Sequence, residues 1–368
     1  MFFAPGRVNL MGAHLDYNGG PVMPMAIDRG TFVAMRPRRD GRLRLASSSE
    51  DGEASFELEG LLAGLPPASG AWWDYPLGVL GALAPLRATG GLDLFFGGDL
   101  PVGAGLSSSA SVTIATAVAL DVHFGLGLDV QAAVDAALLA ERGYVGVNCG
   151  IMDPYAVGHA RPGHLLVLDC ANRSSEHVAL DASKYTVAVV DTGVRRELSR
   201  GEFNLRVEQC AEAFRLLAPF AGDAANLSSV PLAVLEAEGA RLDPVVARRA
   251  RHVIEETART LAARDALRRG DVAQFGAAMF AAHESLRILF EVSIPELDLL
   301  VELAAASPGV LGSRLTGAGF GGCVAAVLEV GTEAAFADEV RRGYAAQYHR
   351  EPQVAFYRGS PGIGEVAF

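Results

Sequence analysis

A loop rich in glycine and serine joins a short predicted strand to a long predicted helix that begins near Ser109. The loop, residues 100–110, reads LPVGAGLSSSA. Gly103 and Gly105 allow positive φ angles and a close approach of the backbone to a ligand. The serines at 107–109 place hydroxyl and free N–H groups at a helix N-terminus, where anions bind. An ordinary helix cap uses similar residues, but the triple serine favours a site for an oligophosphate.

The charge and hydrophobic content of the chain narrow its possible partners. Among 368 residues, 31 are Lys or Arg and 43 are Asp or Glu, which gives a net charge of −12 and argues against a general nucleic-acid binder. Half of the residues are hydrophobic, which excludes a disordered chain. Every long apolar stretch is interrupted before the roughly 20 residues that a bilayer-spanning helix needs. Because a Pro-Gly pair also arrives too early for a signal peptide, we expect a soluble cytoplasmic protein without a membrane partner.

Cysteine and lysine usage excludes several kinds of site. The four cysteines form no CxxC pair, which argues for a reducing compartment and against a disulfide scaffold or a zinc knuckle. Lys184 is the only lysine, and the chain contains no Gly-Lys-Ser/Thr sequence of the kind that a Walker A loop requires. A phosphate site in this chain would therefore work without a lysine.

The length and the order of predicted elements suggest two domains. A chain of this length exceeds what one hydrophobic core usually organises. The first half mixes short strands with helices, whereas the second half has helical apolar periodicity over 203–218, 245–269, 272–287 and 294–306. A polar stretch at 172–183 precedes a strong predicted strand at 185–191, so we place the boundary near residue 180. The mainly antiparallel arrangement that we expect indicates an α+β fold with domains at 1–180 and 181–368.

A second glycine loop, residues 317–322, matches the GxGxxG pattern by letter. A dinucleotide-binding fingerprint needs a helix after the glycines, but the residues that follow are predicted to form a strand. We therefore reject a dinucleotide site here and expect a glycine turn that packs against a bound ligand.

Several acids stand beside glycine-rich loops. The segment 9–20 reads NLMGAHLDYNGG and carries His14 and Asp16, while Glu141 ends one predicted helix and Asp153 begins another. Taken singly, each acid is typical of a turn, a helix cap or a surface charge.

Together, these segments resemble the signature motifs of the galactokinase branch of the GHMP small-molecule kinases. The loops at 4–19, 103–110 and 315–323 appear in the family's order. The segment 140–153, AERGYVGVNCGIMD, and the segment 284–298, ESLRILFEVSIPELD, are also similar. The resemblance covers essentially the whole chain.

This resemblance implies a fold and an activity. The family pairs an N-terminal ATP-binding domain, like the second domain of ribosomal protein S5, with a ferredoxin-like C-terminal domain, and its active site lies between them. The implied activity is ATP- and Mg²⁺-dependent phosphorylation of the anomeric hydroxyl of a galacto-configured sugar. The expected partners are therefore a small sugar and ATP, without nucleic acid.

The resemblance also assigns residues to the ATP and metal side of the site. Asp153 corresponds to the catalytic base, and Arg7 to the cation that holds the transferred phosphoryl group. Mg²⁺ would bridge the ATP phosphates between Glu141 and either Ser108 or Ser109. The residues that correspond to the adenine and phosphate contacts are Trp72, Gly103, Gly105, Leu106, Ser107, Ser108, Ser109 and Ala110.

On the sugar side, the chain departs from the family's pattern. The corresponding residues are Ala13, His14, Asp16, Gly150 and Phe203. Ala13 stands where the family usually has the glutamate that receives the galactose C6 hydroxyl, and Phe203 stands where a tyrosine contacts the sugar. Thr113 replaces a common glutamate after the serine loop.

The alanine at position 13 leaves more than one sugar as a candidate substrate. Loss of the glutamate removes a hydrogen bond worth about 1.5–3 kcal/mol to galactose. It also removes a repulsion of roughly 4 kcal/mol that a C6 carboxylate would meet at about 4 Å and an effective dielectric of about 20. Galacturonate and galactose are therefore both candidates, with L-arabinose third. A non-catalytic galactokinase-like sugar sensor is the other alternative, although such sensors have a shortened serine loop and this loop is full length.

Overall fold

The computed structural model describes residues 1–83, 90–100, 105–147, 149–195, 199–360 and 362–366. Its largest sheet has six strands in the order β13-β1-β3-β6-β4-β5. All of its pairings are antiparallel except the parallel pair β4–β6. The strands of this sheet are β1 (Phe2–Asn9), β3 (Pro24–Arg38), β4 (Arg42–Ser47), β5 (Ala54–Glu57), β6 (Gly91–Gly98) and β13 (Gly364–Glu365).

Helices cover the sheet because their alanine-rich and leucine-rich faces pack against its inner strands. The helices of this half are α1 (Leu58–Ala63), α2 (Asp74–Ala82), α3 (Ser108–Phe124), α4 (Val130–Leu139) and α5 (Met152–Gly158). Asp129 caps α4 by accepting a hydrogen bond from the Ala132 amide, and Gly125 ends α3 with a φ of 64°. A π-helical turn, Ala140–Val145, continues α4.

The second half places a four-stranded antiparallel sheet against a set of helices. The strand order is β10-β11-β9-β12, and the strands are β9 (Tyr185–Asp191), β10 (Val310–Thr316), β11 (Cys323–Glu329) and β12 (Gln353–Tyr357). The helices are α6 (Ser199–Leu217), α7 (Leu232–Glu238), α8 (Pro244–Arg268), α9 (Val272–Ser285), α10 (Pro295–Ala306) and α11 (Glu333–Tyr348). Asp243 and Asp271 cap α8 and α9, and a second π-helical turn, Leu286–Phe290, continues α9.

A small third sheet lies where the two halves meet. It has the order β2-β7-β8 and consists of β2 (Pro21–Val22), β7 (His164–Asp169) and β8 (Ser175–Ala179). Helix α8 of the second half packs on β2 and β8. The predicted boundary near residue 180 lies in the turn between β8 and β9.

One local prediction is corrected by the structure. The residues at 4–9, expected in a loop, belong to β1. The polar stretch 172–183 contains β8. Helix α2 begins at Asp74, whose carboxylate accepts hydrogen bonds from the Ser69 and Gly70 amides. In the part of the chain that the structure describes, none of the four cysteines forms a disulfide bond. No helix in the described part of the chain is long and apolar enough to span a bilayer.

Candidate active site

An arginine–aspartate pair joins three of the predicted motifs. Arg7 lies in β1 and is 6% exposed, and Asp153 lies in the first turn of α5. Arg7 Nε and Nη2 donate to the two carboxylate oxygens of Asp153 at 2.7 and 2.9 Å. The third guanidinium nitrogen, Nη1, donates to the Gly105 carbonyl at 2.5 Å. The guanidinium group of Arg7 therefore holds the Asp153 carboxylate and the serine loop in a fixed relative position.

Strand β1 lies close against the serine loop because Gly6 has no side chain. A Cβ at Gly6 would stand 2.7 Å from the Leu106 carbonyl oxygen. The Arg7 amide donates to that carbonyl at 3.0 Å. Any larger residue at position 6 would push the loop away from Arg7.

The serine loop presents hydroxyl groups at the start of α3. Ser107 has a φ of 62° and a buried hydroxyl that has no hydrogen-bond partner among the described residues, and α3 begins at Ser108. Gly105 and Ser108 are exposed, whereas Leu106 and Ala110 are buried among core side chains. Gly103 lies outside the described residues. This end of α3 fits a phosphate group, since its N–H groups and hydroxyls have unfilled hydrogen-bonding capacity.

Glu141 lies in the π-helical turn and is only 2% exposed. The Ser109 hydroxyl donates to its Oε2 at 3.3 Å, and the Thr113 hydroxyl lies 3.3 Å from its Oε1. Burial, followed by the charge of Asp153, raises the pKa of Glu141 to about 7. A nearby cation would favour the ionised form.

The donor set around Glu141 fits Mg²⁺. Carboxylate and hydroxyl oxygens are hard ligands, and Mg²⁺ is commonly held by one or two protein groups together with substrate phosphates and water. Among the described residues, no three His, Cys, Asp or Glu side chains form a metal-binding group. Ser109 and Glu141 could therefore hold Mg²⁺ only together with a nucleotide.

Asp16 and Gly150 lie in contact on the other side of Asp153. Asp16 begins a short 3₁₀ turn, and a Cβ at Gly150 would lie 1.7 Å from Asp16 Oδ2. Only glycine fits beside this carboxylate. Burial, with a further contribution from the charge of Asp153, raises the pKa of Asp16 to about 6.

Aromatic rings surround His14. Its φ is 59°, and its Nδ1 lies 3.0 Å from the Tyr17 hydroxyl. The Phe203 ring is centred 5.9 Å from His14 and 5.5 Å from Tyr17, and the Phe290 ring is 4.7 Å from His14. Burial, followed by the charge of Arg314, lowers the pKa of His14 to about 3. His14 is therefore a neutral hydrogen-bonding group at physiological pH.

Ala13 and Trp72 complete the predicted set. Ala13 is 2% exposed, and its carbonyl lies 3.4 Å from His252 Nε2. Trp72 packs edge-on against Phe96 of β6, with 5.5 Å between ring centroids, just before the chain enters the serine loop. Its indole nitrogen is buried, and no described residue forms a hydrogen bond with it.

Sequence reasoning missed the residues that hold the sugar-side loop from the second half of the chain. Glu256 accepts a hydrogen bond from the Gly12 amide at 3.2 Å, and Thr316 donates to the Asn9 carbonyl at 3.1 Å. The buried Arg314 also donates to the Asn9 carbonyl, at 3.4 Å. No local pattern marks these residues, since their partners lie more than 200 positions away along the chain. The role of Tyr17 as a partner of His14 was missed as well.

The glycine turn at 317–322 packs partly against protein. A Cβ at Gly319 or Gly321 would stand 2.4 or 2.7 Å from a backbone carbonyl oxygen, of Val292 or Val194 respectively. These two glycines therefore allow close packing against protein, whereas Gly317 and Gly322 have no described atom within 4 Å of the position that a Cβ would take. Strand β11 follows the turn directly, which confirms that it is not a dinucleotide fingerprint.

Three family models match the chain. They are the galactokinase galactose-binding signature over residues 1–37, the GHMP kinases N terminal domain over residues 74–161 and the GHMP kinases C terminal domain over residues 263–346.

Curated galactokinases are similar along almost the entire chain. The chain is 40% identical to a galactokinase of Exiguobacterium sibiricum and 41% identical to one of Chloroflexus aurantiacus, with 99% of this chain and 92% of each relative covered. It is also 40% identical to a galactokinase of Bos taurus, over 94% of this chain and 87% of that protein.

Solved structures of kinases are also similar to this chain. The crystal structure of Lactococcus lactis galactokinase complexed with galactose matches with a TM-score of 0.93 and 32% identity, over 99% of this chain and 94% of that one. A mevalonate kinase of Methanococcus jannaschii shares the fold, with a TM-score of 0.74 at 18% identity.

Proposed function

The chain belongs to the galactokinase branch of the GHMP kinases, and from that premise we propose that it transfers the γ-phosphoryl group of ATP to the anomeric hydroxyl of galactose or a sugar of the same configuration. The observation that carries this proposal is the Arg7–Asp153 pair beside the serine loop. It places a carboxylate, a guanidinium and an anion-binding helix end within one hydrogen-bonded unit.

Each residue of this unit has a task in the proposed mechanism. Asp153 accepts the proton of the anomeric hydroxyl, and Arg7 orients that carboxylate while its positive charge faces the phosphoryl group. Because the transition state of phosphoryl transfer is loose, positioning and charge compensation supply most of the catalysis. Proton transfer to Asp153 then accompanies the movement of the phosphoryl group instead of preceding it.

In the proposed mechanism, the residues at the start of α3 and Glu141 bind the nucleotide and its metal ion. The N–H groups and hydroxyls at 107–109 would bind the phosphates, and Trp72 would flank the adenine. Bound Mg²⁺, held by Ser109 and Glu141, would neutralise charge that develops on the phosphate oxygens.

Galactose is the first candidate substrate, because the galactokinases similar to this chain include one whose structure was solved with galactose. Asp16 would accept hydrogen bonds from ring hydroxyls, while Gly150 leaves room for its carboxylate. His14 and Tyr17 add uncharged hydrogen-bonding groups.

One observation favours galacturonate as a second candidate. Ala13 carries no charge where a glutamate would repel a C6 carboxylate. The charges that act on the neighbouring His14 are the positive ones of Arg314 and Arg206. The electrostatic field on this side of the pocket therefore suits an anion better than it would with a glutamate at position 13.

Steady-state rates of ATP consumption with galactose, galacturonate and L-arabinose test which of these sugars is the substrate. ATP consumption with galactose is the expected result. Absence of turnover with all three sugars, despite sugar binding, would instead indicate a non-catalytic sensor. Strong galactose activity with no turnover of galacturonate would overturn the second candidate.

The variants Ala13→Glu and Ala13→Gln separate charge from size at position 13. Ala13→Glu adds a repulsion of roughly 4 kcal/mol to galacturonate before solvent screening reduces it. The same carboxylate gives galactose a charge-assisted hydrogen bond worth about 1.5–3 kcal/mol. The ratio of kcat/KM for galactose over galacturonate should therefore rise by orders of magnitude in Ala13→Glu. Ala13→Gln, which has the same volume without the charge, should change this ratio much less.

A further inference from the structure

We propose that Thr113 is a positioning residue that holds one oxygen of Glu141, so that the other oxygen and the Ser109 hydroxyl are presented together to the divalent cation. The inference rests on the proposed function, in which Glu141 and Ser109 hold Mg²⁺. It concerns a residue that makes no contact with the cation itself.

The position of Thr113 supports this role. It lies in the second turn of α3, is fully buried, and stands one helical turn after Ser109. Residues four positions apart on a helix lie on one face, so both hydroxyls point toward the π-helical turn that carries Glu141. The two distances to the carboxylate are equal, 3.3 Å from Ser109 Oγ to Oε2 and 3.3 Å from Thr113 Oγ1 to Oε1.

The Thr113 hydroxyl also has backbone partners that keep it in place. Its Oγ1 lies 3.0 Å from the Ser109 carbonyl and 3.1 Å from the Ala110 carbonyl. A threonine hydroxyl has one proton and two lone pairs, and rotation about its C–O bond directs that proton to the backbone or to Glu141. The backbone contacts hold the side chain in one rotamer, and in the proposed role its single proton turns to Glu141 Oε1 in place of the two carbonyls.

In this arrangement the two carboxylate oxygens of Glu141 have different roles. Oε1 faces the buried Thr113 hydroxyl, whereas Oε2 faces Ser109, which is only half-buried. A metal ion would then meet one carboxylate oxygen and one hydroxyl, the small ligand set that leaves Mg²⁺ room for phosphate oxygens and water. Partners behind a metal ligand commonly change metal affinity about 10- to 100-fold when they are removed.

The test measures metal binding directly. Mn²⁺ is titrated into the full chain in the presence of a non-hydrolysable ATP analogue, and free Mn²⁺ is followed by electron paramagnetic resonance. Thr113→Val keeps the shape of the side chain without the hydroxyl, and Thr113→Ser keeps the hydroxyl. We expect Thr113→Val to weaken Mn²⁺ binding about tenfold, whereas Thr113→Ser stays close to the unaltered chain. The KM for the sugar should remain unchanged in both variants.

Glu141→Ala serves as the reference that separates this inference from the proposed function. If Glu141→Ala loses Mn²⁺ binding while Thr113→Val binds as well as the unaltered chain, the positioning role is wrong and the metal site stands. If Glu141→Ala also binds normally, the metal is held elsewhere and both proposals fail. Equal losses of metal affinity, sugar affinity and thermal stability in Thr113→Val and Thr113→Ser would show that Thr113 has only a packing role.

Discussion

At the scale of single residues, Asp153 is the group on which the proposed chemistry depends most. Both of its oxygens accept hydrogen bonds from Arg7, so its orientation is set before a substrate arrives. The same arginine contacts Gly105, which precedes the predicted phosphate site. A change at Asp153 should therefore affect the reacting proton more than the binding of either substrate.

Asp153→Asn should lower kcat by at least about 100-fold, the usual scale for a positioned acid or base. The amide retains nearly the same shape, and binding of sugar and ATP, measured by calorimetry, should survive. Asp135→Asn changes an exposed acid on α4 and is the matched control, with an expected kcat close to that of the unaltered chain. Near-normal turnover of Asp153→Asn would remove Asp153 as the base.

At the scale of elements, two π-helical turns shape the site. Ala140–Val145 carries Glu141, and Leu286–Phe290 places the Phe290 ring beside His14. The sequence predicted helices that end inside both turns, near Glu141 and near residue 287. A π-helical turn holds one extra residue, and the apolar periodicity of a short segment does not reveal where that residue is inserted.

The second π-helical turn is held by two buried arginines. Arg249, 2% exposed, donates to the Leu289 carbonyl and to the Glu291 carboxylate at 2.5 Å each. Arg206 donates to the Phe290 and Glu291 carbonyls at 2.8 Å each. These contacts fix the chain direction after Phe290, where Glu291 adopts a φ of 55°.

Arg249→Ala should destabilise the protein by about 2–4 kcal/mol, because it leaves buried acceptors without a donor. It should also raise the KM for the sugar without changing the KM for ATP, since Phe290 packs on His14. Urea denaturation and steady-state kinetics measure the two effects. Arg248→Ala, in which an exposed arginine 3.3 Å from the same Glu291 is removed, should cost no more than about 1 kcal/mol. Equal effects of the two variants would contradict the role of the buried arginine.

At the scale of the whole molecule, the two halves of the chain build the sugar side together. Glu256, Arg314 and Thr316 of the second half bind the backbone of the loop that carries His14 and Asp16. The loop is thereby buried, and burial of an acid changes how the stability of the protein depends on pH.

Asp16 links folding to pH in a predictable direction. Its pKa rises from 3.8 to about 6 in the folded chain, mainly through burial, so the folded state binds the proton more tightly than the unfolded state does. This contribution to stability is present in full below about pH 4 and is lost as the pH rises through about 6. Between these limits, the unaltered chain should lose on the order of 2 kcal/mol that Asp16→Asn does not lose.

Urea denaturation at several pH values, without sugar, nucleotide or metal, measures this difference. Asp223→Asn alters an exposed acid and should follow the unaltered chain at every pH. If Asp16→Asn showed the same pH dependence as the unaltered chain, the proton would not be held by Asp16.

Local sequence patterns predicted many of the elements and identified the motifs. The strand expected at 185–191 lies at those bounds in the structure, and the helices expected over 245–269 and 272–287 correspond to α8 and α9, since apolar periodicity reports local burial well. The motif order predicted a galactokinase-like kinase, and the comparisons with curated galactokinases confirm the family.

How these motifs meet depends on the tertiary fold. Arg7 and Asp153 are 146 residues apart, and Gly12 and Glu256 are 244 residues apart, so no local pattern could predict either contact. The same holds for Thr113 against Glu141, for the two π-helical turns, and for the glycines at 319 and 321 that pack against protein. Helical periodicity depends on neighbours within a few residues, whereas the position of a side chain in a site depends on how distant elements pack.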